Sequence, residues 1–176
     1  MKRRLIAFLV GAVLAGCGLQ DPYPLPAEPP GDVTFHPVAV GESVTEPVLF
    51  IEARTGTRLE IVSAEAVGTL EGATVAFSAS TLTEDADGDI VIGDEHADVA
   101  GLKPEDLADP RAEPPANTVA IVAEITPMEP GRYVLSTIKL TYRINGAPER
   151  HGEGMDVVVT VCADDPAPSE CDDQPS

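Results

Sequence analysis

The chain has 176 residues, with 30 acidic side chains against 11 lysines and arginines and a formal net charge of −19. Such a charge keeps a protein soluble and argues against nucleic acid or bare anionic lipid as partners, because phosphate contacts need clustered cations. Cations and basic surfaces are the natural counterparts of so acidic a chain.

Lys2, Arg3 and Arg4 form a basic start, and Leu5 to Gly16 carries no charge. A membrane-spanning helix needs roughly 20 apolar residues to cross ~30 Å of hydrocarbon, so this run is too short to span. Basic residues, a short apolar core and then small residues are the layout of a secretory signal peptide, here residues 1–16. Its end, Leu14-Ala15-Gly16-Cys17, resembles the lipobox of bacterial lipoproteins. That resemblance implies cleavage before Cys17, which becomes the first mature residue and carries a thioether-linked diacylglycerol. Two or three acyl chains hold a protein stably at a bilayer where one does not, at about 0.8 kcal/mol per buried methylene. Arg3-Arg4 lacks the flanks of a twin-arginine export signal. In lipoproteins of two-membrane bacteria an aspartate after the cysteine signals retention at the inner membrane; Gly18 stands there, which implies the outer membrane or cell surface. Losing residues 1–16 removes three cations and no acid, leaving eight cations against 30 acids, a net charge of −22.

Residues 17–32 form the next unit. Pro22, Pro24, Pro26, Pro29 and Pro30 block helix and sheet ladders and favour an extended polyproline stalk, about 3.1 Å per residue. From Val33 the apolar period is mostly two. "VTFHPVAV" reads as an edge strand, since Pro37 cannot donate to a ladder. "PVLFIEAR" reads as a buried strand, and "RLEIVSAEAVG" sets Leu59, Ile61 and Ser63 against acids. "ATVAFSAS" alternates through Val75 and Phe77, and "TVAIVAEI" is rich in β-branched residues. "RYVLSTIKLTYRI" and "MDVVVTVCA" are the clearest strands, with "NGAPERHGEG" between them as a hairpin loop. With "DIVIG" included, about seven to eight short strands with regular turns indicate an all-β sandwich or barrel over residues 33–163.

Within residues 133–144 the apolar set begins on odd positions, Tyr133 and Leu135, and continues on even ones, Ile138, Leu140, Tyr142 and Ile144. A side-chain period of two cannot change faces without an extra residue, which predicts a bulge at Ser136-Thr137. The stretch "EPGRYVL" also resembles the run into the sixth strand of immunoglobulin-like domains. The resemblance implies an Ig-like antiparallel β-sandwich in which Tyr133 bonds its hydroxyl to nearby backbone and Leu135 fills the usual cysteine slot. With no Trp in the chain and no cysteine there, the type implied is that of bacterial surface proteins, not antibodies.

Glu84 to Ala116 is a long polar excursion between strands, the kind of connection that is functional or disordered. Pro104 suits the start of a short helical turn in "GLKPEDLADP". The excursion opens on "TEDADGDIVIGDEH", which resembles an EF-hand calcium loop counted from Thr83: Asp85 and Asp87 at the third and fifth places, Gly88 at the sixth, Asp94 at the twelfth. It departs from that pattern in Thr83 at the first place, Asp94 for the bidentate glutamate, and the absence of flanking amphipathic helices. The calcium ligands would be Asp85, Asp87, Asp89 and Asp94, and the competing reading is a solvated acidic loop.

His36, His96 and His151 lack zinc spacing, and no cysteine–histidine–methionine run follows the last strand to pair with Met155 as a copper site. No GxSxG occurs, and Ser43, Ser63, Ser78, Ser80 and Ser136 lie in or beside strands. Paired carboxylates are abundant, but glycoside clefts are usually lined with aromatics, which make up 4% of this chain. With Cys17 lipidated, Cys162 and Cys171 remain as a pair outside the cytoplasm. Their bridge would close a loop worth roughly 2.5–3 kcal/mol and tie down the acidic tail, residues 164–176. The sequence therefore reads as a non-enzymatic, membrane-anchored binding or scaffolding lipoprotein with a protein or glycan partner and no cofactor. Its loops 84–116 and 145–154 are the presentation surfaces, and the alternative is a calcium-binding or calcium-stabilised lipoprotein.

Overall fold

A computed structural model of the chain describes residues 27–28, 34–85 and 89–163. The expected signal peptide, nearly all of the proline stalk, and the acidic tail lie outside the described residues. The strands are β1 (Ala27–Glu28), β2 (Thr34–Val38), β3 (Val44–Glu52), β4 (Leu59–Thr69), β5 (Ala73–Glu84), β6 (Ile90–Ile92), β7 (Ala97–Asp98), β8 (Thr118–Pro127), β9 (Gly131–Ile144) and β10 (Arg150–Ala163). One helical turn, α1 (Pro104–Leu107), begins on the proline as expected. Among the described residues the strands beyond the expected segments are β1 and β7, each two residues long.

The strands form two sheets. One runs β1-β3-β8-β5-β6, with β7 also on β5; the other runs β2-β10-β9-β4. All pairings are antiparallel except β2 with β10. Leu49, Ile51, Ile121 and Ile125 from the first sheet and Ile61, Leu135, Ile138 and Leu140 from the second are fully buried in one shared cluster. This sandwich-like all-β architecture is what short runs with a period of two produce when each sheet has one apolar face. Each such side chain contributes about 1.5–3 kcal/mol relative to an exposed one. β8 lies between β3 and β5 and is buried continuously from Val119 to Ala123. Its outward-facing Ala120 and Val122 join Leu82, Phe50 and Ile92 in a second small cluster.

The predicted phase change in β9 is present. Tyr133, Leu135, Ile138, Leu140, Tyr142 and Ile144 are the buried residues of this strand. Against β4 the register passes from Val67↔Thr137 to Gly68↔Leu135, so Ser136 is the additional residue. Its hydroxyl donates to the Val67 carbonyl at 3.0 Å, satisfying a group displaced by the bulge. Gly68 makes this approach feasible, because a Cβ there would sit 1.9 Å from the Val134 carbonyl oxygen.

Two other irregularities redirect sequence expectations. In β4 the register jumps from Ile61↔Tyr142 to Ser63↔Thr141, leaving Val62 as an extra residue. Ser63 is therefore exposed rather than continuing the face of Leu59 and Ile61, and Ala64 and Ala66 pack on the core instead. β3 starts at Val44, ahead of the expected Pro47. The proline is accommodated beside a register shift at Val48, and β1 covers only Phe50 and Ile51 of this strand. Pro37 does sit in an edge strand, β2.

The excursion after β5 is more structured than its composition suggests. Its first part folds back as β6, and Ser80 Oγ donates to the Gly93 carbonyl at 2.7 Å. Its middle returns to the core, where Val99, Leu102 and Ala108 are buried. Leu102 and Gly101 exchange hydrogen bonds with Ile61 on the outer side of β4, both at 2.8 Å. Much of the expected 84–116 presentation loop therefore closes one flank of the sandwich. The expected 145–154 loop is likewise shortened, since β10 starts at Arg150.

Tyr133, at the start of β9, donates its hydroxyl to the Glu129 carbonyl at 2.6 Å. Replacing it in Tyr133→Phe should lower stability by about 1 kcal/mol in urea unfolding. Gly68→Ala should cost more, about 2–3 kcal/mol, because the added methyl meets main chain that is fixed by the bulge.

Candidate functional site

Three connections meet at one end of the sandwich: residues 53–58 after β3, 99–117 before β8, and 145–149 after β9. Each is tied to another by hydrogen bonds. The Ala53 amide donates to the Asn117 carbonyl at 2.8 Å, and the Thr55 hydroxyl to the Pro110 carbonyl at 3.0 Å. Asn117 is buried, and its side-chain amide donates to Glu52 Oε1 at 3.2 Å. Asn145 and Gly146 both have positive φ, 52° and 71°, the conformation that an Asn-Gly turn supplies. As the chain turns away there, Asn145 Oδ1 takes over the backbone's role and accepts from the Arg58 amide at 2.9 Å.

Beside this junction is a groove of about 430 Å³ whose charged lining comprises Arg58, Glu60, Lys103, Glu105, Asp106 and Arg143. Arg143 donates to Glu60 at 3.3 Å and to Glu149. The hydrogen bond to Glu149, then that to Glu60, raises its pKa above its ordinary value, so its guanidinium stays charged and fixed in direction. The lining contains no hydroxyl, thiol or imidazole side chain. What it offers is charge of both signs, with Arg143 held by Glu60 and Glu149.

The residues singled out in the sequence are dispersed. Cys17, Asp87 and Cys171 lie outside the described residues. Cys162 is buried near the end of β10, opposite Arg132 on β9 and Pro37 on β2. Asp85 and Asp89 frame the β5–β6 turn: the Asp85 amide donates to the Asp89 carbonyl and the Asp89 amide donates to Asp85 Oδ1, both at 2.9 Å. Thr83, expected to open an ion loop, is paired with Val91 inside this hairpin. Asp94 follows β6 at the hairpin's other end, exposed and beyond Gly93, whose amide bonds the Thr81 carbonyl. Among the described residues no three His, Cys, Asp or Glu side chains are grouped as metal ligands.

The histidines have separate surroundings. His36 Nε2 on β2 lies 2.6 Å from Glu46 Oε1 on β3, joining the two sheets, but out of line for a hydrogen bond. His96 Nδ1 lies 3.3 Å from the Ser78 hydroxyl. His151 is paired along the backbone with Thr141, and Met155 with Ile138, within one strand rather than one loop. The groove was missed in the sequence because its residues come from β4, α1, β9 and the turn after it; only the Asn145-Gly146 pair signalled a structured turn there.

No known protein family and no curated protein matches the chain. Among the described residues no helix is long and apolar enough to cross a membrane.

The Asp85 carboxylate is committed to the turn, so Asp85→Ala should cost about 1 kcal/mol of stability. The same loss is expected in millimolar calcium and in chelator; a loss confined to calcium would identify an ion ligand.

Proposed function

We propose that this protein is a lipid-anchored, extracytoplasmic binding or scaffolding module without enzymatic activity. Cys17 is the anchor, residues 18–32 the stalk, and an Ig-like sandwich the working body at the cell membrane or outer membrane. A bridge between Cys162 and Cys171 closes the acidic tail onto the end of β10.

The Leu14-Ala15-Gly16-Cys17 pattern supports the anchor. The Ig-like reading draws on the strand orders β1-β3-β8-β5 and β2-β10-β9-β4, the parallel β2–β10 pair, and the Tyr133 bond to Glu129. The single observation that carries the binding function is the junction of three connections beside a charged groove in which Glu60 and Glu149 hold Arg143. Loops held on a rigid sandwich are where such folds place contacts. Its lining supplies ionic and hydrogen-bonding groups of both signs for a protein or glycan surface.

Intact mass spectrometry of protein isolated from its native host tests the anchor. The expected species begins at Cys17 and carries a diacylglycerol with or without a further acyl chain; a chain beginning elsewhere, or an unmodified Cys17, contradicts the proposal.

A further inference from the structure

A sandwich has four sheet edges, and each exposes backbone donors and acceptors that can pair with another strand unless something prevents it. Three are blunted here. β1 is two residues long, and the part of β3 that it leaves uncovered, Val44–Leu49, carries Pro47 beside a register shift. β2 is five residues long and contains Pro37. The outer side of β5 is occupied in part by β6 and β7. The fourth is β4, eleven residues long and paired only with β9 in its sheet. At its upper end Gly101 and Leu102 bond both backbone groups of Ile61. Pairing on this edge has thus begun, and among the described residues it stops there. Residues 62–69, "VSAEAVGT", continue the edge with small side chains and one charge, Glu65.

The direction of the open groups follows from the register. The Val67 carbonyl faces β9, where it accepts from Ser136. With a period of two, Ala66 and Ala64 turn their N–H and C=O groups outward, in line with Ile61 across the bulge at Val62. Their methyl groups pack on the core, so nothing bulky stands over those groups.

We propose that the open edge of β4 receives an extended segment of a basic partner protein as an added strand. Backbone hydrogen bonds from Ala64 and Ala66 hold it, continuing the pairing that Leu102 begins. Charge selects this occupant. The chain carries −19, Glu65 stands at the centre of the edge, and only Lys139 is set across from it on β9. A second copy would bring the same net charge and a second Glu65 against the first, a like-charge pairing that destabilises a sheet. The proposal rests on the binding-module reading and names the chemistry of its partner.

The test follows amide hydrogen exchange of the complete chain with an acetylated, amidated decapeptide of alternating valine and lysine. Exchange at Ala64 and Ala66 should slow at least about tenfold at saturating peptide, with little change at residues already paired to β9. Three controls should abolish the effect. These are the same peptide N-methylated at every amide, its glutamate–valine counterpart, and Ala66→Pro, which removes an edge-facing donor without removing a bond to β9. The N-methylated peptide keeps the test decisive if that variant fails to fold. No slowing at millimolar peptide overturns the proposal, as does equal slowing by the N-methylated or acidic peptide. Protection of Ala64 and Ala66 in the free chain also overturns it, because another part of this chain or a second copy then fills the edge. The mass of the species bearing Cys17 is read separately, so failure here leaves the anchor standing.

Discussion

Ser136 has no partner of its own on β4, and the burial of every β9 residue beyond it depends on that. Without the extra residue, the faces chosen by Tyr133 and Leu135 would point Thr137, Lys139, Thr141 and Arg143 at the core, and Ile138, Leu140, Tyr142 and Ile144 at solvent. Burying an unpaired lysine or arginine is far costlier than a local bulge, so hydrophobic burial dictates the break in register. Two neighbours make the break tolerable: the Ser136 hydroxyl reaches the Val67 carbonyl, and Gly68 leaves room for the Val134 carbonyl.

The same break organises the functional end. Downstream of it Arg143 faces outward, where Glu60 and Glu149 hold it at the rim of the groove. Ile144 is delivered to the core, and the Asn145-Gly146 turn starts in register with Arg58. Upstream, Tyr133 fixes the opposite end of β9 through Glu129. A strand pinned at both ends with one internal step is a rigid support for connections that are themselves tied together by hydrogen bonds. Its partner β4 is the last strand of that sheet.

What could be read from the sequence was what depends on period and on local chemistry. The phase switch in residues 133–144, the edge position of Pro37 and the helical start at Pro104 each follow from neighbours a few residues apart. The bulge at Val62 was not legible, because Ser63 fits either face of a strand and only the pairing with Thr141 decides. The core role of Val99, Leu102 and Ala108 was hidden in a polar stretch whose apolar residues have no regular spacing. The acidic residues 85–94 suggested a ligand loop by their order along the chain, but the Ile90–Ile92 strand carries Asp94 away from the turn. The groove required four separate segments to come together, which no local pattern announces.

The step in β9 is the claim on which the burial pattern and the orientation of Arg143 both depend. Nuclear Overhauser contacts between β4 and β9 in solution test it directly. A bulge at Ser136 predicts cross-strand contacts from Val67 to Thr137 and from Gly68 to Leu135, with Ser136 contacting no main-chain partner in sequence. A continuous ladder that pairs Ser136 with Gly68, with the contacts of β9 shifted by one residue, would contradict it.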